Sequence, residues 1–225
     1  MTLASQRIGF VCAILFASIA VLSPPTYAED SDLKVYRSNI EQLKKNLRSR
    51  PHDPNLHFNL GNNYWKLGQY EESIKHYKET LKVQPFDAEA HTGIGFAYGK
   101  MGQISEAIHH YNEALKINPD YAYALNNRGY TKVKLALYLK AIRDFDKAIA
   151  LNSNYGYAYL NRGIAKELIR DHTGACFDWE KAKELGVKNG KISVDLIDSD
   201  WTKPTTFTQM TFAAALSRLI HSGGD

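Results

Sequence analysis

The chain has 225 residues, of which 44% are hydrophobic, and its 28 basic and 24 acidic residues leave a formal net charge of +4. Because no basic run with interleaved aromatic residues accompanies this balance, electrostatic binding of nucleic acid is not expected. The length is within the range of a single domain.

Residues 1–28 are typical of a secretory signal peptide. Arg7 precedes the apolar run 8–22, and Ala28 supplies a small residue for cleavage. This run is 15 residues long, shorter than the roughly 20 that a membrane-spanning helix needs. We therefore expect an exported protein, periplasmic or secreted. The alternative is a protein anchored to the membrane by an uncleaved N-terminal segment.

The expected mature chain, 29–225, contains one cysteine, Cys176. An internal disulfide is therefore excluded, even in an oxidising compartment. Cys176 is interpreted as a packed small hydrophobic residue rather than a nucleophile. The stability of the fold must come from packing.

A 34-residue period dominates the rest of the chain. Leu60-Gly61, Ile94-Gly95, Arg128-Gly129 and Arg162-Gly163 recur at this spacing. The same register holds for Tyr77, Tyr111, Phe145 and Trp179, for Ser73, Ala107, Ala141 and Ala175, and for Pro51, Pro85 and Pro119. This pattern of small, aromatic and proline positions resembles the tetratricopeptide-repeat (TPR) family.

The resemblance implies an all-α TPR solenoid of antiparallel helix pairs, forming a right-handed superhelix with a concave groove. Gly68 is expected to end a first helix, and Pro85 to stop a second one. The predicted order is an N-terminal capping helix within 29–53, repeats at 54–87, 88–121, 122–155 and 156–189, and a linker and C-terminal helix within 190–225. The fourth repeat is degenerate, because Arg170 replaces the turn glycine and Val187 stands in the closing proline register.

The recurrent glycines predict close helix approach. Each lies in the middle of a first helix, where glycine costs about 1 kcal/mol relative to alanine. We expect the small residues Ala107, Ala141 and Ala175 to cross the glycines and offset this cost.

The C-terminal apolar residues within 207–221 have two interpretations. They can cover the open end of the fourth repeat, since terminal repeats need a polar outer surface. Alternatively, they bind a membrane or a partner.

In TPR proteins, repeat positions 2, 5, 9, 12 and 13 of the first helix point into the groove. Carried over by resemblance, this register predicts a peptide-binding groove that is aromatic, amide-rich and nearly uncharged apart from three lysines. Its residues are Asn55, Phe58, Asn62, Trp65, Lys66, Phe96, Lys100, Tyr123, Asn126, Tyr130, Lys134, Tyr157 and Leu160.

Two features of this groove allow more than one interpretation. The aromatic residues either contact a peptide or pack neighbouring repeats. The lysines either form a solvated face or meet an acidic ligand. The carboxylate clamp of chaperone-tail binders is not supported, because Asn62 alone fits it while Phe58, Gly93, Tyr123 and Asn127 occupy the other positions.

The sequence gives little support to a catalytic function or a metal site. No GxSxG, P-loop, HExxH or paired-cysteine motif is present. His57 and His91, and His76 and His110, follow the period, but no cysteine or carboxylate cluster completes a metal site. We expect no cofactor.

The sequence therefore predicts a non-enzymatic interaction module of the cell envelope that binds a protein or peptide, for example in assembly or secretion of an envelope complex. The alternative is a scaffold that self-associates through its C-terminal helix into a homo-oligomer. A hydrolase in the 190–225 tail is a remote third hypothesis, since the tail supplies no nucleophile and base. Membrane association is expected only if the signal is uncleaved.

Overall fold

The computed structural model describes residues 30–187, and within this range the chain forms helices and turns without strands. The predicted signal segment, 1–28, and the predicted linker and helix, 190–225, lie outside the described residues. The helices are α1 (Asp30–Leu47), α2 (Pro54–Lys66), α3 (Tyr70–Val83), α4 (Ala88–Lys100), α5 (Ile104–Ile117), α6 (Ala122–Lys134), α7 (Tyr138–Leu151), α8 (Gly156–Leu168) and α9 (His172–Glu184).

The helices pack as antiparallel pairs, which confirms the predicted all-α TPR solenoid. Each of α2, α4, α6 and α8 is the first helix of a pair, and each pair begins 34 residues after the one before it. The first helices of consecutive pairs also contact one another, whereas the described second helices are connected mainly through the intervening first helix. The first helices therefore form the inner side of the stack, called the concave face below.

Helix boundaries follow from capping and turn residues. The carboxylate of Asp53 accepts hydrogen bonds from the backbone N–H groups of Asn55 and Leu56 at the start of α2, which satisfies two otherwise unpaired donors. Gly68 follows α2 with a φ of +73°, in the left-handed region that glycine adopts without strain. At the matching place in the third and fourth repeats, Ala136 and Arg170 adopt φ values of 55° and 64°.

The mid-helix glycines allow the close approach that their spacing predicts, but the main contact differs from the predicted one. A Cβ placed on Gly95 would lie 2.9 Å from Cδ1 of Tyr111 and 3.1 Å from the carbonyl oxygen of Ala107. The aromatic ring four residues after the alanine therefore covers the glycine, and the alanine contributes its backbone. The ring needs this room because Tyr111 is almost fully buried.

The N-terminal helix α1 packs against the first repeat. Ile40 is buried with Leu60 and Tyr64, and Leu43 and Leu47 pack at the edge of this cluster. The helix covers the apolar side of α2 that the first repeat cannot bury alone. None of the helices between residues 30 and 187 has the length and hydrophobicity that crossing a bilayer requires.

Candidate functional site

The concave face carries most of the predicted groove residues on its surface. Asn55, Lys66, Lys100, Tyr123, Lys134 and Tyr157 are exposed, and Phe58, Asn62, Trp65, Phe96 and Tyr130 are half-buried. Because α2, α4, α6 and α8 run in the same direction, equal positions of successive repeats form rows across this face. The structure thus places these side chains on one side of the stack.

Two of the predicted groove residues lie between helices instead. Asn126 and Leu160 are each 4% exposed, and the Asn126 Oδ1 atom accepts a hydrogen bond of 3.0 Å from Asn161 Nδ2. This bond joins α6 to α8. In the third repeat, the fifth register position therefore joins neighbouring repeats, and in the fourth repeat it is buried. Neither residue presents its side chain to a ligand.

Three lysines follow one edge of the concave face. Lys66, Lys100 and Lys134 are the last residues of α2, α4 and α6. Their Nζ atoms lie 4.8, 5.4 and 5.3 Å from the ring centroids of Trp65, Phe96 and Tyr130, respectively. An ammonium group over an aromatic face is attracted by the negative potential of the ring. We call these three lysines the lysine row.

The aromatic residues of the groove also connect repeats. The rings of Trp65 and Phe96 meet edge to face with centroids 5.0 Å apart, and Phe58 lies 5.6 Å from the ring of Tyr77. The Tyr77 hydroxyl donates a hydrogen bond of 2.6 Å to Asn62 Oδ1. These side chains pack neighbouring repeats and also leave part of their surface exposed. Packing is therefore observed for these residues, and peptide contact stays a prediction.

A tyrosine cluster occupies the opposite edge of the concave face. Tyr123 stacks on Tyr155 with centroids 5.6 Å apart and lies 6.5 Å from Tyr121. Tyr123 and Tyr157 are 55% and 56% exposed. The sequence register predicted Tyr123 and Tyr157 as groove residues but missed Tyr121 and Tyr155. Their 34-residue spacing at the end of the repeat was a signal that could have identified them.

A cleft of about 730 Å³ opens at the same edge and is lined by residues of the first and second repeats. Its walls come from the start of α2, from the α3–α4 connection and the first turn of α4, and from the α5–α6 connection. The lining residues are Asn55, Phe58, Gln84, Pro85, Phe86, Asp87, Ala88, Glu89, Ile117, Asn118 and Tyr121. We call this space the loop-edge cleft.

The periodic histidines pair within repeats rather than along the period. Nδ1 of His57 lies 3.0 Å from Nδ1 of His76, and Nδ1 of His91 lies 3.2 Å from Nδ1 of His110. Nε2 of His57 lies 3.0 Å from the carbonyl oxygen of Pro51. In the neutral pair, His57 therefore donates from Nε2 to this carbonyl and accepts at Nδ1 from His76. No group of three or more metal-ligating side chains occurs within residues 30–187.

Acid is expected to weaken the fold through these pairs. Burial, reinforced by the neighbouring histidine, lowers the pKa of His76 and of His110 to about 4, from an unfolded value of about 6.5. The unfolded chain binds more protons between these values, so the stabilisation is complete above about pH 6.5 and is lost as the pH falls towards 4. After discounting for partial exposure, we expect a loss of about 1–2 kcal/mol.

Urea unfolding followed by circular dichroism at pH 7 and pH 4.5 measures this loss, and the double variant His76→Gln/His110→Gln is the control. The variant should show a smaller difference between the two pH values. An equal difference would assign the acid sensitivity to other nearby charges, which are Glu72, Lys75 and Glu79 around His76, and Lys78, His109 and Glu113 around His110.

Family comparisons agree with the observed repeats. Residues 61–102 match a model described as TPR repeat, and residues 88–121 and 122–155 each match a model described as tetratricopeptide repeat. The last two ranges coincide with the second and third helix pairs. Among curated proteins, no significant sequence match was found.

Solved structures share the fold. The crystal structure of MamA is 25% identical with a TM-score of 0.59 and covers 73% of this chain and 99% of its own. A thermophilic TPR protein of Thermus thermophilus is 18% identical with a TM-score of 0.60, covering 94% of this chain and 98% of its own. The first TPR of Spaghetti (RPAP3), bound to the HSP90 peptide SRMEEVD, is 23% identical with a TM-score of 0.50, covering 52% and 93%.

Proposed function

We propose that this chain, which belongs to the tetratricopeptide-repeat family, is an interaction scaffold that binds a peptide or protein segment along its concave face. The observation that carries the proposal is the continuous row of open aromatic, amide and lysine side chains on α2, α4 and α6. Aromatic rings supply contact area at small entropic cost. Asparagine amides can hydrogen-bond an extended peptide backbone.

The cellular setting is part of the same proposal. Residues 1–28 have the charge and hydrophobicity of an export signal, so we place the protein in the periplasm, outside the cell or, if the signal is retained, at the membrane. There it would hold a partner during assembly or secretion of an envelope complex. TPR proteins are generally non-catalytic interaction modules, and we propose no catalytic role for this one.

Affinity capture with matched variants tests the groove. The protein carrying a C-terminal tag is used to capture partners from native envelope extract, alongside Tyr123→Ala/Tyr157→Ala and Phe58→Ala/Tyr130→Ala. Tyr123 and Tyr157 are more than half exposed, so their replacement should leave the helical content and the melting temperature unchanged. A partner lost from both variants, at an expected tenfold or greater reduction by mass spectrometry, supports binding at the concave face.

The control for this capture is Phe177→Ala. Phe177 lies on α9, a second helix, and is 68% exposed, so this variant removes an exposed aromatic side chain outside the concave face. A partner lost from the control as well, or retained by both groove variants, would contradict the assignment.

Self-association is the second candidate, and the exposure of Phe177 on the last described helix favours it. Exposed apolar side chains at the end of a repeat stack favour contact between copies. Light scattering at protein concentrations from about 1 to 100 µM would show whether the protein self-associates. This range covers roughly two decades and spans ordinary dimer affinities. A monomer throughout would remove this candidate without affecting the groove.

A further inference from the structure

The loop-edge cleft differs in charge from the rest of the concave face. Asp87 and Glu89 line it, and no lysine or arginine is among its lining residues. Within the described part of the chain, neither carboxylate forms an ion pair with a lysine or arginine. Two negatively charged side chains therefore line a partly enclosed space, and no lysine or arginine side chain balances their charge.

Both carboxylates line the same cleft as Tyr121 and act electrostatically on its hydroxyl. Burial, followed by the charge of Glu89, the neighbouring Tyr123 and the charge of Asp87, raises the pKa of Tyr121 to about 12. Tyr121 consequently remains a neutral hydroxyl at physiological pH. The negative potential of both acids thus reaches across the cleft from α4 to the α5–α6 connection.

Three of the residues that line the cleft are aromatic. Phe58 and Tyr121 are partly buried in the stack, whereas Phe86 is 81% exposed at the rim. A phenylalanine held in solvent beside two carboxylates provides both an apolar surface and a ring face. The long side chains of lysine and arginine combine an apolar stem with a cationic end, and they pack their stems on such surfaces.

We propose that the loop-edge cleft binds a lysine or arginine side chain of the peptide segment held on the concave face. This inference rests on the proposed function and adds the charge of the ligand. The cation lies between Asp87 and Glu89, and its stem packs against Phe58, Phe86 and Tyr121. The lysine row, at the opposite ends of the same helices, repels a second cation, so the bound segment is basic at one edge and neutral or acidic at the other.

Helix stabilisation is the competing explanation for the two acids. The carboxylate of Asp87 accepts a hydrogen bond of 2.9 Å from the backbone N–H of Ala90, and Glu89 lies in the first turn of α4, where negative charge stabilises a helix. A variant must therefore remove the charge and keep the cap. Asp87→Asn/Glu89→Gln does so, because asparagine caps a helix about as well as aspartate.

The matched control is Glu71→Gln/Glu106→Gln. Both residues are exposed and lie in the first turns of the second helices α3 and α5. This variant changes the net charge by the same amount, from +4 to +6 for two acids removed. It consequently separates a local effect of the cleft from general attraction between the protein and a cation.

The test uses immobilised 12-residue peptides of random sequence, each made with arginine, with neutral citrulline of the same shape, or with glutamate at one position. The full chain should bind a subset at least fivefold more strongly with arginine than with citrulline. Asp87→Asn/Glu89→Gln should lose this preference at an unchanged melting temperature, and the control variant should keep it. In parallel, N-acetyl-arginine methylamide should shift the ring signals of Phe58 and Tyr121 in NMR spectra.

Each other outcome overturns the inference. Peptides that bind equally well with citrulline would refute the cationic ligand while leaving groove binding intact. A preference that is lost in both variants would show general charge attraction. If Asp87→Asn/Glu89→Gln lowers only the melting temperature, the acids serve the helix alone. The absence of both arginine-dependent binding and ring shifts would refute the cation site, and the capture experiment would still test the groove separately.

Discussion

Replacing Gly95 with leucine is expected to reduce the free energy of unfolding by about 3 kcal/mol through overpacking. Any side chain at this position places a Cβ 2.9 Å from the ring of Tyr111 and 3.1 Å from the backbone oxygen of Ala107. Tyr111 is 2% exposed and has no room to swing away. Since α4 contacts helices on both sides, separating α4 from α5 disturbs the neighbouring repeats as well.

Gly99→Ala is the control in the same helix. A Cβ at Gly99 would lie 3.8 Å from the Cβ of Ala107, which is an ordinary van der Waals contact. The variant should therefore gain up to about 1 kcal/mol from helix propensity. Urea unfolding monitored by circular dichroism compares the two. If Gly95→Leu unfolds at the same urea concentration as the natural chain, the described packing of α4 on α5 is wrong.

Replacing Asp144 with alanine is expected to cost about 3 kcal/mol, the range for removing one partner of a buried ion pair. Asp144 accepts hydrogen bonds of 2.9 and 2.7 Å from the guanidinium of Arg128 and one of 2.6 Å from Lys132 Nζ. Arg128 also donates to Asn112 Oδ1 of the preceding repeat. Without Asp144, two cations face each other in a largely buried site, and a junction between repeats is weakened.

A three-residue exchange within the chain provides the control. The matching positions of the second repeat hold Ile94, Tyr98 and His110, and the Tyr98 ring stacks on the His110 ring. The variant Arg128→Ile/Lys132→Tyr/Asp144→His places these three uncharged side chains in the third repeat. It should recover more than half of the stability lost in Asp144→Ala, measured by urea unfolding at pH 7. A triple variant as unstable as Asp144→Ala would show that the ion pair itself is required.

The second and third repeats have different side-chain contacts at the same register positions. The repeat pattern therefore predicts the backbone better than it predicts the side-chain interactions. Leu60-Gly61 and Arg128-Gly129 occupy the same register, and the period reports only that a glycine follows. The ion pairs of Arg128 with Asp144 and of Arg162 with Asp178 form between helices. The partners are 16 residues apart. Each residue recurs after 34 residues, but the period does not show which residues pair.

In the candidate site too, the sequence predicted some features and the tertiary packing determined others. The register taken from the family resemblance selected residues of α2, α4, α6 and α8 that mostly lie open on the concave face. It did not distinguish Phe58 on the surface from Asn126 in the interior, because burial depends on how closely adjacent repeats approach. It also omitted Phe86 and Tyr121, which enter the loop-edge cleft from connections rather than from helices.

The repeat length, the helix pairs and the order of the repeats were all predictable from the sequence, because they follow from local capping, turn and periodicity signals that recur every 34 residues. The tertiary packing was needed to establish which ring covers each glycine, which histidines and charges pair, and where two carboxylates without an ion-pair partner line a cleft with three aromatic side chains. Those features depend on distances between segments that are far apart along the chain. Such distances are set by the packing of whole helices rather than by any residue's neighbours in the sequence.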